Sequence, residues 1–286
     1  MALKAFSYRF YPTPEQESLL RRTLGCTRLV YNRALAARTE ARYKDLKRVG
    51  YAETASMLTE GQKTEELDFL NQVSCVPLQQ CLRHLQTAYT IFFDGRAKYP
   101  NFKKKRNGGS AEFTKSAFRF KNGQIYLAKC LDPLHIRWSR TLPIGAVPST
   151  LSVKLAPSGR WSISLLVDVE IKLLPKSSNQ VGIDLGITSL LTLSTGGKIA
   201  NPKGFKAKYR KLTKAQKSLS RKQKGSNNRH KARLKVARVH QEITDARKDH
   251  LHKLTTQLVR ENLRHRPGGL SCEKPGEKSE TSYCHK

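Results

Sequence analysis

Val181-Gly182-Ile183-Asp184-Leu185-Gly186-Ile187-Thr188-Ser189-Leu190 is an apolar run with a single carboxylate and a glycine on either side of it. It reads as a buried strand with Asp184 near its carboxyl end. A second apolar run, Leu190 to Leu193, precedes the turn Ser194-Thr195-Gly196-Gly197 and then Lys198-Ile199, so a hairpin is expected across the Gly-Gly pair. An acid on the first strand of such an arrangement is the expected start of a metal-dependent, phosphodiester-cleaving site. A strand-end Asp that only caps a turn accounts for the same residues, and the surroundings must decide.

The chain has 286 residues, enough for two domains or one large one. Its 54 Lys and Arg stand against 22 Asp and Glu, a formal net charge of +32. Solubility needs far less, so a polyanionic partner is implied, a phosphate backbone before an anionic membrane. No apolar run approaches the roughly 20 residues of a membrane span, and Met1 to Gln16 lacks a signal-peptide core. A cytoplasmic protein facing nucleic acid, without a membrane partner, is expected. The six cysteines, Cys26, Cys75, Cys81, Cys130, Cys272 and Cys284, form no C-x-x-C pair and read as reduced thiols, mostly in the core.

Leu3 to Phe10 alternates and reads as a strand. Thr13-Pro14-Glu15-Gln16 reads as a helix start, with Thr13 as N-cap and Gln16 closing a capping box. Gly25 is expected to break this helix. A second helix is expected from about Thr27 to Tyr43, with Val30, Ala34 and Leu35 inside and Arg28, Arg33, Arg38 and Arg42 outside. Such a pair suits nucleic-acid docking and equally suits a hairpin with a solvated basic face. Further helices are expected from Leu46 to Phe93, broken near Gly61 and Pro77, with His84 a packed or surface residue. Phe93 to Arg106 interleaves aromatics with bases, and Tyr99, Lys103, Lys104 and Lys105 there offer stacking and phosphate contacts. Five short strands with turn signals follow between Phe113 and Glu170, suggesting a small barrel or sandwich. Leu174 to Asn179 reads as a linker.

Lys203 to Arg238 holds 15 Lys and Arg and no Asp or Glu. Phe205 to Leu219 and Asn228 to about Glu261 both read as helix, joined by a basic turn carrying Lys222 and Lys224. Fifteen unopposed charges repel one another unless a polyanion neutralises them.

In this order the pieces resemble the TnpB (OrfB) family of insertion-sequence transposases, compact relatives of the type V CRISPR effector nucleases. The resemblance rests on Tyr31-Asn32-Arg33-Ala34-Leu35, Lys98-Tyr99-Pro100-Asn101-Phe102-Lys103 and Gly182-Ile183-Asp184-Leu185-Gly186. It continues through Lys222-Gln223-Lys224-Gly225-Ser226-Asn227-Asn228-Arg229, Ala232-Arg233 and Arg247-Lys248-Asp249. It implies an α+β architecture. Residues 1–12 plus 113–175 would form a basic, wedge-like β-barrel, with a helical recognition insert at 13–112. Residues 180–262 would form the first part of an RNase H-like (RuvC) nuclease domain with a long basic helical hairpin. The implied partners are DNA and a guide RNA from the transposon end. Asn32, Asn228, Arg229 and Arg233 join Arg28, Arg33, Tyr99, Lys103, Lys104, Lys105, Lys222 and Lys224 as implied nucleic-acid contacts. Asp184 matches the first catalytic acid and a ligand of two Mg²⁺ ions.

The chain departs from the family after Glu261. Two cations need several converging carboxylates. The family supplies a Glu in a Glu-Asp-Leu context after the long helix, then a four-cysteine zinc ribbon and a last Asp. Here Leu263 onward is polar and rich in Gly and Pro, and 263–286 is expected to be disordered. Its codons, read one base later, can encode Val-Leu-Glu-Asp-Leu-Ala for Arg266 to Ser271 and Val-Lys-Asn-Leu-Val-Lys-Asn for Cys272 to Lys278. A frameshift near Leu263 is therefore expected, with the ribbon absent, two catalytic acids missing, and the strand bearing Asp184 open along one edge. The expected function is transposon-encoded DNA and RNA binding, with nuclease activity lost in this chain alone. The alternatives are endonuclease activity restored by frameshifting or complementation, and an RNA-guided repressor.

Overall fold

In a computed structural model the described residues are 2–44, 49–143, 145–170, 179–202, 204–262 and, by backbone alone, 264–267. They divide into two compact units, Met1–Lys172 with Lys222–Arg238, and Leu173–Arg221 with Val239–Lys286.

The first unit opens with β1 (Ala2–Phe10), whose alternation buries Phe6, Tyr8 and Phe10. Helix α1 (Pro14–Lys44) starts at the expected capping box. Thr13 N–H donates to Gln16 Oε1 at 3.2 Å, and Gln16 N–H donates to Thr13 Oγ1 at 3.3 Å. Gln16 also donates its amide to the carbonyls of Asp132 and Pro133. The helix does not break at Gly25; it is continuous. Leu24, Cys26 and Thr27 are all buried there, and burial outweighs the roughly 1 kcal/mol that a mid-helix Gly costs relative to Ala. A Cβ at Gly25 would meet nothing within 4 Å. Gly25→Ala is therefore expected to raise stability by about 0.5–1 kcal/mol, read as a higher urea midpoint at unchanged slope.

Helix α2 (Tyr51–Gly61), a 3-10 turn (Glu65–Gln72) and α3 (Cys75–Phe93) complete the helical part. The chain turns after Gly61, whereas Pro77 sits inside the first turn of α3 without breaking it, where a missing N–H is tolerated. Leu70, Leu78, Leu82 and Leu85 pack with Val30, Tyr31, Ala34 and Leu35 of α1. Arg38, expected outside, is buried. Its guanidinium lies 4.1 Å from the Tyr89 ring centroid and donates to Gln86 Oε1 at 2.9 Å. Cys26 and Cys81 are core thiols as expected, and burial pushes the Cys81 thiol up to about 12. Cys272 and Cys284 lie outside the described residues. His84 is exposed and pairs with Glu112 Oε2 at 3.0 Å.

Next come β2 (Gly109–Thr114), β3 (Phe118–Lys121), β4 (Gln124–Leu127), β5 (Ile136–Arg137), β6 (Pro148–Leu155) and β7 (Trp161–Val169). They form a five-stranded sheet of order β2-β6-β7-β1-β5 and a separate β3-β4 hairpin. Strand β2 was not foreseen, because Gly-Ser-Ala-Glu-Phe-Thr has little β-strand composition. The expected barrel is not closed among the described residues: β2 and β5 remain the sheet's edges. Phe118, Ile125 and Leu127 of the hairpin, with Leu20 and Leu24 of α1, join the core made by the sheet residues Leu151, Val153, Ile163 and Leu165.

In the second unit β8 (Gln180–Asp184), β9 (Ser189–Leu193) and β10 (Lys198–Ala200) run antiparallel, with Asp184 opposite Thr192. The run read as a buried strand is covered only in part. Val181 is buried, but Asp184 to Thr188 are exposed, Ile187 at 98%. Helices α4 (Gly204–Ser220) and α5 (Asn227–Glu261) match the expected pair; α5 gives its first residues to the first unit and the rest to the second. Lys211 donates to Glu242 at 2.8 Å and Arg247 to the Tyr209 hydroxyl. Leu254 and Leu258 pack with Leu191 and with Ile183, Leu190 and Leu193.

Two expectations about the end of the chain are corrected here. Arg264–Pro267 form a strand, β11, parallel to β8, with Arg264 opposite Gln180 and Pro267 opposite Ile183. The edge of β8 is therefore covered over these residues. A sheet edge offers backbone N–H and C=O groups to any extended segment, whatever its side chains. The remainder of 263–286 lies outside the described residues. Among the described residues no helix is long and apolar enough to cross a membrane.

Candidate nucleic-acid interface

Within the first unit, α1, the segment after Phe102, the β6–β7 turn and the start of α5 enclose an open groove of about 1080 Å³. Its floor is apolar or small: Leu24, Gly25, Leu155, Ala156, Pro157, Gly159, Leu234 and Ala237. Its rim is cationic: Arg21, Arg22 and Arg28 from α1, Lys104, Lys105 and Arg106 from the loop, and His230 and Arg233 from α5. No carboxylate lines it among the described residues. Arg21 is paired to Glu17 at 2.5 Å and Arg22 donates to Gln72. The side chains of Arg28, Lys104, Lys105, Arg106 and Arg233 have no carboxylate partner among the described residues. Five such charges on one rim repel one another, and a phosphate backbone relieves this. The backbone comes closest at Gly108, φ +80°, where a Cβ would stand 2.1 Å from Leu155 O, so only Gly fits that corner.

Ser226 starts α5, accepting Arg229 N–H on its hydroxyl at 3.2 Å. This orients the first turns of α5 so that His230, Arg233, Leu234 and Ala237 share the face that lines the groove. The spacing of three and four residues is legible in the sequence, but the partner surfaces are not.

The residues expected to bind nucleic acid therefore separate. Arg28, Lys104, Lys105 and Arg233 converge on the groove. Asn32 and Lys103 instead hold each other, and Tyr99 bonds to the hydroxyls of Thr39 and Tyr89. Arg33 faces Glu66 at 3.6 Å, both exposed. Lys222, Lys224 and Asn228 are exposed around the α4–α5 turn, and Arg229 donates to the Lys222 carbonyl at 2.8 Å. Arg21, Arg22 and His230 were not foreseen, and Arg106 was foreseen only as part of the basic stretch Phe93 to Arg106. Arg21 and His230 lie more than 200 residues apart in the sequence, and no local pattern marks Arg21, Arg22 or His230.

In the second unit Asp184 stands exposed at the end of β8. No group of three or more His, Cys, Asp or Glu side chains converges among the described residues.

Residues 162–276 match a family model described as a probable transposase of the IS605 OrfB type, and residues 1–47 match its helix-turn-helix domain. The described part of that second region is one strand and one unbroken helix. A Streptomyces pristinaespiralis protein named as an RNA-guided DNA endonuclease is 58% identical over 260 residues, covering 91% of this chain. InsQ of Escherichia coli K12, named likewise, is 35% identical over 258 residues, covering 90%. The chain spans 65% and 63% of the length of these relatives. In fold it is similar to a chain of a Cas12f1–sgRNA–target DNA complex, with TM-score 0.52 at 12% identity, covering 90% of this chain and 66% of that one. With a mixed α and β fold of that kind, and with matches of this extent to those relatives, the chain belongs to the TnpB (OrfB) family of insertion-sequence transposases.

Proposed function

We propose that this chain is a transposon-derived nucleic-acid-binding protein that holds the backbone of guide RNA or DNA in the groove of its first unit, and that does not cut DNA by itself. The observation that carries the reading is the set of five cationic side chains, Arg28, Lys104, Lys105, Arg106 and Arg233, gathered without a carboxylate. Each phosphate contact displaces a counterion, so affinity must fall steeply with salt. Titrating labelled RNA or DNA at increasing salt is expected to give a log–log slope of about −3.5 to −4.5 for five contacts. A slope near zero overturns the reading.

The second unit supports an RNase H-like (RuvC) reading. Three antiparallel strands are followed by helices and then by a strand parallel to the first. Asp184, at the carboxyl end of the first strand, takes the place of the leading catalytic acid. The described residues do not fit two Mg²⁺ ions, which need several convergent carboxylates. Strand β11 is also unlike a native parallel strand, since Arg-His-Arg-Pro has neither the apolar residues nor the full donor set of one. If the codons permit the shifted frame, it would put Val and Leu at 266 and 267 and Glu at 268, the next step of the register after Pro267–Ile183, which is that of Asp184.

A further inference from the structure

Asn32 lies one helical turn beyond Arg28 on α1. It holds the main chain of Lys103 with both ends of its amide: Lys103 N–H donates to Oδ1 at 2.8 Å, and Nδ2 donates to the Lys103 carbonyl at 3.0 Å. The amide thereby acts as a strand neighbour would, for a segment outside any sheet. The Lys103 amine rests 3.9 Å from the centroid of the Tyr31 ring. Upstream, the Tyr99 hydroxyl bonds those of Thr39 and Tyr89 at 2.8 and 2.9 Å. Its ring meets Tyr89 and Phe92 edge-on at centroid distances of 5.6 and 5.3 Å. Both ends of 99–103 are therefore fixed to the helices. The residues that follow at once, Lys104, Lys105 and Arg106, line the groove.

We infer that Asn32 is a positioning residue for the groove: it sets Lys104, Lys105 and Arg106 on the rim and does not itself contact nucleic acid. Both functional ends of its side chain are engaged with Lys103. A loop carrying three cations, if loose, would have to be ordered at each binding event; the Asn32 clamp orders it during folding instead. Cations held at fixed spacing contact successive phosphates together, whereas mobile ones trade contact for entropy.

The inference rests on the groove being the nucleic-acid site, and a double-mutant cycle on the full chain separates the two. Affinity for labelled RNA, and for duplex DNA of the same sequence, is measured across a salt series. The proteins are wild type, Asn32→Ala, the triple variant Lys104→Ala with Lys105→Ala and Arg106→Ala, and their combination. The triple variant is expected to bind about 100-fold more weakly at 0.15 M salt and to lose about 2 to 3 from the salt slope. Asn32→Ala alone is expected to weaken binding about tenfold with a slope loss of about 1, and to add less than about twofold in the triple background. If Asn32→Ala weakens binding by the same factor in both backgrounds, it touches nucleic acid directly and the inference falls while the groove stands. If the triple variant binds like wild type, the groove reading falls. If Asn32→Ala does not fold, Asn32→Gln, uncharged and with its amide displaced by one methylene from its Lys103 partners, takes its place in the same cycle with the same two outcomes.

Discussion

Replacing Arg28, Lys105 and Arg233 together by Glu is expected to abolish nucleic-acid binding at physiological salt. Each of the three comes from a different element, α1, the loop after Phe102 and α5, and all three line one groove. Loss of three phosphate contacts lowers affinity about 100-fold at 0.15 M salt and the salt slope by about 2 to 3. Three new carboxylates among the remaining cations repel phosphate and push the loss further. Lys105 and Arg233 are exposed and Arg28 half-buried, so the fold should persist, checked by circular dichroism. Reversing Lys115, Lys121 and Lys154, exposed residues outside the groove lining, makes the same change in net charge and is expected to weaken binding only slightly. Equal losses for the two triples would mean that overall charge, and not the groove, binds nucleic acid.

The second expected result is catalytic. With guide RNA, matching DNA and Mg²⁺, this chain is expected to leave the DNA intact, and Asp184→Asn to change nucleic-acid affinity less than twofold. Asp184 is exposed and belongs to no cluster of three potential ligands among the described residues. One carboxylate cannot clamp both the attacking and the leaving oxygen. A protein made by joining the alternative frame near codon 263, continued to the family's full length, is expected to cut, and to lose at least about 1000-fold of that rate with Asp184→Asn. Cleavage by the present chain, if abolished by Asp184→Asn, would overturn this reading. Codons 263 to 286 that cannot yield the Glu-Asp-Leu string would overturn the frameshift, and with it the expectation that the rejoined protein cuts.

Local physics made much of the fold legible. Alternation marked β1, turn signals marked β6 and β7, the Thr13–Gln16 box marked the start of α1, and the helices read over Phe205 to Leu219 and Asn228 to about Glu261 match α4 and α5 almost to the residue. The errors arose where tertiary packing overrode a local rule. Gly25 resembles a breaker, but buried neighbours carry the helix through it. Arg38 resembles a solvated charge, but Tyr89 and Gln86 accept it inside. At the site, the sequence pointed to basic segments but not to which of their residues meet. Asn32 and Arg28 share one motif-bearing helix and equal expectation, yet one holds a backbone and the other lines a groove. Only pairing across some 70 residues distinguishes them.

The parallel pairing of β8 with β11 has a consequence in time. Ile183 and Pro267 are partners, so about 80 residues must be synthesised after β8 before its neighbour exists. At about 5–20 residues per second, that interval lasts about 4–16 s. During it β8 has its hairpin partner on one side and a bare row of amides and carbonyls on the other. Closing so long a segment is also slow in the free chain, since the two strands must meet by diffusion before any bond rewards the encounter. The second unit therefore closes its sheet only after every residue of the first unit has been synthesised, and of the two it is the more exposed to capture by chaperones or by other nascent chains.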